Sequence, residues 1–269
     1  MTSGAYGVAR RPAKPKQSLA VPLGLLAAVL FTLWAASEEF GIGFDIGGIV
    51  EDLDRGTAIL SEVLQPNFAF FPRTVEPMLE TIQMAIIAST IGCAIALPAG
   101  FLASRVTAPG RLRFLATRSV LNVVRALPDL LYAMVFVTAL SIGPLAGILA
   151  LIFFNLGVAA KLLSETVDAV DSGPIEAANA AGARHTEIVR TAVFPQVLPN
   201  YVAYSLYVFE LNIRASTVIG IVGAGGIGNT LNAQMGFFNF NNVGLIILEL
   251  FVLVFAIELI SISLRRRLT

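Results

Sequence analysis

Thr81–Ser104 and Leu130–Ala160 contain no charged side chain, and Val243–Leu264 contains only Glu249 and Glu258. Apolar runs of this length match a bilayer core of about 30 Å, which a helix of roughly 20 residues crosses. Lipid admits segments that satisfy their own backbone hydrogen bonds, as helices do, so the chain reads as an all-α integral membrane protein. Composition agrees: 56% of residues are hydrophobic and 13% charged, with a mean hydropathy of +0.79, against about 25% charged in a soluble domain. Eighteen basic residues balance 18 acidic ones, so total charge indicates no nucleic-acid partner. A lone cysteine, Cys93, excludes an intrachain disulfide, and with one histidine no zinc or iron–sulfur site is expected.

Charge placement sets the topology. Residues 1–18 carry Arg10, Arg11, Lys14 and Lys16 among prolines and read as a disordered cytosolic tail. Leu19–Ala36 is long enough for a first span, and Glu38-Glu39 stands where a signal peptide would need small residues. From Ser37 to Glu76 the chain has Glu38, Glu39, Asp45, Glu51, Asp52, Asp54, Glu62 and Glu76 against Arg55 and Arg73. Ile46, Ile49, Val50, Leu53, Ile59, Leu60, Val63 and Leu64 recur there at helical spacing, the pattern of an amphipathic helix on the outer membrane face. Arg105, Arg111, Arg113 and Arg118 mark a cytosolic loop after the second span. Leu130–Ala160 is too long for one span, and Gly143-Pro144 divides it into spans near Ser119–Ile142 and Pro144–Thr166. Arg125, Asp129, Lys161 and Glu165 then lie near inner ends. Asn200–Val222 and Val243–Leu264 complete about six spans, the last stopped by Arg265-Arg266-Arg267, with both termini cytosolic. Residues 223–242 form either a re-entrant or an outer segment. Three parts follow: the tail 1–18, a first span with its outer segment 19–76, and a transmembrane domain 77–269.

Between the fourth and fifth spans lies a polar loop, 172–199, with the sequence PIEAANAAGARHTEIVRTAVFPQVLP from Pro174 to Pro199. Pro174 suits a first helical turn, Glu176 complements the helix dipole, and Ala177, Ala178, Ala180 and Ala181 favour a thin helix. Gly182 permits a bend, giving two short helices at an angle. Gly223-x-Gly225-x-x-Gly228 has dinucleotide-site spacing but follows a membrane span, so close helix approach or a helix break at the pathway explains it better. No Walker A sequence occurs, and His185 lacks a catalytic constellation with Asp168, Asp171 or Glu187. Glu249 and Glu258 point to either structural pairing or a polar pathway. Glu210 and Arg214, four apart in the fifth span, share a helical face with Asn212, Ser216 and Thr217 nearby. Counting from Asn200 places Arg214 roughly 21 Å into the bilayer, where an arginine needs a partner or an anion.

Glu176-Ala177-Ala178, Gly182 and Ala192-x-Phe194-Pro195 resemble the EAA loop of bacterial ABC-importer permeases, with Ala-Val-Phe-Pro where that family prefers Ile-x-Leu-Pro. Arg125-Ala126-Leu127-Pro128 resembles another common feature of importer permeases. With FELNIRAST before the glycine cluster, the chain from about Thr81 to Arg267 resembles the permease subunit of phosphonate-type ABC importers. The resemblance implies a type I importer permease in a bacterial cytoplasmic membrane, working as a homodimer. It also implies two cytosolic ATPase subunits that bind ATP-Mg, an extracytoplasmic solute-binding protein, and no cofactor or metal on this chain. Glu176, Ala177, Ala178, Gly182 and Pro195 would then couple to the ATPase. Arg214, Glu210, Asn212, Ser216 and Thr217 would line the pathway for phosphonate, phosphate or phosphite. A permease for another small solute, such as an amino acid or methionine, is the alternative. An intramembrane enzyme would need a nucleophile or metal set that Asp129, Glu210, Glu249 and Glu258 do not complete.

Overall fold

A computed structural model of the chain describes residues 20–37, 41–42, 47–48 and 52–266, and the regular structure among them is helical throughout. The tail 1–18, the positions Ile46, Ile49 and Val50 of the acidic stretch, and Arg267 lie outside the described residues. Two compact units divide between Thr57 and Ala58. The first contains α1 (Ala20–Ala36), apolar throughout, and the start of α2 (Leu53–Val63), which has no buried residue. The second contains everything from Ala58 onward.

In the second unit, Asn67 Oδ1 accepts from Ala69 N at 3.2 Å and starts a single 3-10 turn that leads into α3 (Phe71–Leu102). This helix begins ten residues before the apolar run because Pro72, in its first turn, suits a helix start. Its 32 residues, about 48 Å at 1.5 Å each, exceed a bilayer core of roughly 30 Å. The span expected near Ser119–Ile142 is instead two helices, α4 (Arg111–Ala126) and α5 (Asp129–Leu140), bent by 85°. Pro128 is the cause: it holds Leu127 in an extended conformation (φ −93°, ψ 130°), which no helix can pass through. Tyr132 Oη donates to Val124 O at 2.8 Å and satisfies one carbonyl freed at the break.

Gly143, at φ +150°, makes the tight turn expected before α6 (Pro144–Asp168). Then come α7 (Ser172–Ala180), α8 (His185–Ile188), a π turn at Val189–Val193, α9 (Phe194–Ile221), α10 (Ile227–Gly236) and α11 (Phe240–Arg265). By length and apolarity, Phe68–Leu102, Pro144–Asp168 and Phe240–Arg265 can cross a membrane, and the bent α4–α5 pair makes up to four such spans among the described residues.

The bundle is built on α3 against α6, its largest helix contact. Side chains here are small because helices in lipid gain nothing from hiding apolar surface and must instead approach closely. Ala85, Ala88 and Ala96 of α3, and Ala150, Ala159 and Ala160 of α6, are fully buried. A Cβ on Gly92 would lie 2.6 Å from Asn155 Cβ, and one on Gly100 would lie 2.7 Å from Leu163 Cδ2. Gly100→Val should therefore lower the thermal midpoint of the purified protein by the equivalent of about 1–3 kcal/mol. Gly236→Ala, where a Cβ meets nothing within 4 Å, should leave that midpoint unchanged in the same denaturation assay.

Candidate functional site

The loop between α6 and α9 is a helix, a sharp turn and a second helix. Asp171 caps α7 by accepting from Gly173 N at 3.0 Å, so the helix begins before Pro174. Glu176 consequently stands in the second turn, and Asp171 supplies the negative charge at the helix start that the sequence reading gave to Glu176. Glu176 and Ala177 are exposed, while Ile175 packs inward against the core. Gly182 takes φ +76° and closes the helix: its N–H donates to Asn179 O and that of Ala183 to Ala178 O, at 3.0 and 3.1 Å. This six-to-one and five-to-two pairing needs a left-handed residue, hence glycine. At the far end, Pro195 has no N–H to give Thr191, and the widened π turn sits just before it.

Three side chains whose role the motif gives no hint of tie this loop to the bundle. Asp168 Oδ1, at the end of α6, accepts from Ser104 Oγ at 2.6 Å and from Arg105 N at 2.7 Å. His185 Nε2 lies 2.9 Å from Thr107 O, which makes it a brace between loops rather than a solvated histidine. Gln196 Oε1 accepts from Asp171 N at 3.0 Å and its amide donates to Ala192 O at 2.7 Å, joining the foot of α9 to the start of α7.

Higher on α9, the five polar residues divide between two directions. Asn212 and Ser216 are fully buried, and Asn212 Nδ2 donates to Ser89 Oγ of α3 at 2.7 Å. Asn155 of α6, which the sequence reading did not single out, donates from the neighbouring side to Ala88 O at 2.9 Å. Neither amide oxygen has a partner among the described residues. Arg214 and Thr217 face the other way, into a cavity of about 370 Å³ walled by Val218, Ile247, Leu250, Phe251 and Val254. Arg214 donates to Glu210, whose side chain is 9% exposed against 50% for the arginine. Arg265, from the last turn of α11, also reaches Glu210, so the pair stands within side-chain reach of that helix end.

The remaining intramembrane charges separate. Glu249 accepts from Thr74 Oγ1 at 2.8 Å beside an apolar cavity of about 530 Å³ between α3 and α11. Glu258 makes no ion pair or hydrogen bond among the described residues. Lys161 and Glu165 pair at 2.6 Å near the end of α6. Arg125 and Asp129, expected near an inner end, flank the break between α4 and α5. They line a cavity of about 280 Å³ with Phe154 and Val158, and Arg125 packs over Gly157, midway along α6, because the break at Pro128 turns the chain inward there. The glycine cluster folds α10 back onto α9: a Cβ at Gly220 would lie 2.7 Å from Gly228 Cα, and Ile227 N donates to Thr81 Oγ1 at 2.8 Å.

Helices long and apolar enough to cross a membrane, packed through small residues and joined by a braced helical loop, define the class as an integral membrane helical bundle. The family of binding-protein-dependent transport system inner membrane components matches residues 96–269, and the chain belongs to it. The phosphite transport system permease protein of Stutzerimonas stutzeri is 34% identical over 91% of this chain and 88% of its own. The phosphate-import permease protein of Mycolicibacterium smegmatis is 40% identical over 78% of this chain, which spans only 40% of that longer relative. Among solved structures, a chain of the inward-facing MetNI methionine ABC transporter superposes with a TM-score of 0.65 at 26% identity, covering 76% of this chain and 99% of that one.

Asp168 holds the α3–α4 loop through two bonds to one oxygen, and a hydrogen bond to a charged group contributes about 1.5–3 kcal/mol. Asp168→Ala should destabilise the purified protein by an amount in that range, read as a lower thermal midpoint, and speed proteolysis between Ala103 and Gly110. Asp168→Asn, whose oxygen can still accept both bonds, should stay close to the parent in both assays.

Proposed function

We infer that the chain is the permease subunit of an ATP-driven importer and carries phosphonate, phosphate or phosphite inward across the bacterial cytoplasmic membrane. The observation that carries this reading is Arg214, half exposed and held by a carboxylate of its own helix at the edge of an apolar cavity. An oxyanion can take the place of that carboxylate on the same planar fork of donors, which suits phosphorus oxyanions. The names of the phosphite and phosphate-import relatives support that cargo. In this reading α1 and α9 join the four candidate spans to make six, with both termini cytosolic. A second copy of the chain completes the route, with Arg214 and Thr217 along it and Glu210 behind Arg214, whereas Asn212 and Ser216, buried on the side of α3, lie off it. Two ATPase subunits bind ATP-Mg, and a solute-binding protein delivers cargo from outside.

Coupling rests on Glu176, Ala177, Ala178, Gly182 and Pro195. The small residues of α7 leave it slim enough to enter a cleft on the ATPase, and Glu176 offers an exposed negative charge there. Because α9 is continuous from Phe194 to Ile221, displacement at its foot carries to Arg214. The likeness to the methionine transporter favours a second reading, in which the cargo is an amino acid. Cells lacking other phosphorus-oxyanion uptake, given the complete system, should accumulate labelled phosphite, phosphate or methylphosphonate and ignore methionine. Methionine uptake without oxyanion uptake would establish the second reading instead.

Gly182→Val places a branched side chain at φ +76°, and Glu176→Lys reverses the exposed charge of α7. Both variants should reach the membrane in normal amount and lose at least about tenfold in uptake, with ATPase co-purification falling in parallel. Normal transport by both would reduce the loop to a connector.

A further inference from the structure

Glu210 is shared by two arginines. Its Oε1 accepts from Arg214, one turn along α9, and its Oε2 lies 3.8 Å from the guanidinium of Arg265 in the last turn of α11. Arg265 is aimed by its own helix: its Nε donates to Ser261 O at 3.3 Å, which folds the side chain back toward the helix N-terminus. The three groups differ in freedom. Glu210 is 9% exposed, Arg265 31% and Arg214 50%, and of the three only Arg214 lines the cavity.

A carboxylate this far out of water does not tolerate losing its cation, since breaking a buried pair leaves an uncompensated charge. Arg214 can turn to an oxyanion in the cavity only if Glu210 keeps another positive partner. We propose that Arg265 is the positioning residue that makes this exchange possible, holding the second oxygen of Glu210 while Arg214 passes from carboxylate to cargo. The proposal rests on the reading that Arg214 receives a phosphorus oxyanion. It adds a residue from a different helix, one that sequence analysis had treated only as the inner stop of the last span. Each guanidinium then keeps an anion throughout: Arg214 exchanges one for another, and Arg265 never leaves Glu210. Glu258, the other carboxylate on that half of α11, pairs with neither arginine.

The test uses the complete importer in proteoliposomes, with phosphite and methylphosphonate as probes and increasing amounts of loaded binding protein. Without Arg265, Glu210 grips Arg214 alone, so Arg265→Gln should lower saturating uptake about tenfold while half-saturation by the binding protein stays within about twofold. Arg265→Lys keeps the charge and should recover most of the rate. The deciding variant is Glu210→Gln with Arg265→Gln: it removes the competing carboxylate and should transport several-fold faster than Arg265→Gln alone. A purely structural tie between α9 and α11 predicts no gain, because the single variant has already lost that tie and the double variant does not restore it. A double variant no faster than the single, or an Arg265→Gln protein with parental uptake, overturns the proposal while leaving the cargo assignment intact. A parent system that carries neither probe overturns both.

Discussion

Close approach between α3 and α6 is the condition on which the rest of the bundle stands. In lipid the apolar surface of a helix is as well solvated as it would be against another helix, so association depends on packing density and a few polar bonds. The glycines and alanines along α3 and α6 supply that density, with Asn155 lying over Gly92 and Leu163 over Gly100. The same rule places the neighbours. Gly157 makes room for Arg125 at the broken α4–α5 pair, and Gly147 makes room for Met84 and the Ala224 carbonyl. Because the interface fixes the end of α6, it also fixes Asp168, and through Asp168 the loop from which α7 projects.

What the sequence reveals of this fold is what depends on local composition. The apolar runs of Thr81–Ser104 and Val243–Leu264 fall on α3 and α11, although α3 starts ten residues earlier, and Gly143-Pro144 is a turn, because apolarity and turn chemistry are written in consecutive residues. Gly182 was legible for the same reason: a left-handed helix end needs a glycine whatever surrounds it. The break at Pro128 was not, since prolines sit inside α3 at Pro77 and Pro98 without any break. Which proline bends a membrane helix depends on what repairs the freed carbonyls, here Tyr132, and that is tertiary information. The braces at Asp168, His185 and Gln196 join residues up to 78 positions apart, beyond any motif. At the candidate site the i to i+4 pair of Glu210 and Arg214 was visible, whereas Arg265 was not, because only folding brings α11 beside it.

The two faces of α9 are held by different chemistry. Toward α3 the contacts are neutral: Tyr201 donates to Cys93 O and Asn212 to Ser89, each contributing about 0.5–1.5 kcal/mol. Toward α11 the contact is ionic, between Glu210 and Arg265 at 3.8 Å, a separation at which the attraction is Coulombic and not a hydrogen bond. The C-terminal end of α9 is also pinned by glycine contacts to α10, with Gly143 N donating to Gly223 O just beyond it at 3.0 Å.

These unequal attachments decide where α9 can yield. Its 28 residues span about 42 Å, pinned closely at one end by backbone-to-backbone packing that leaves no room for even a methyl group. At its foot the attachments are side chains, Gln196 and the ring contact between Phe101 and Phe194. Packed cores shift between discrete arrangements rather than deforming smoothly. A helix with one end locked and the other held by replaceable side-chain bonds therefore has its freedom at the foot, beside α7. Glu210 and Arg214 lie between these ends, sixteen and twenty residues above Phe194, or roughly 24 and 30 Å along the axis. A charge pair at that height experiences a tilt of the foot as a change in distance to α11, whose Arg265 reaches the same carboxylate. The exposed helix α7 is thus tied to the foot of α9 through Asp171 and Gln196, and the same continuous helix carries Glu210 and Arg214 farther up.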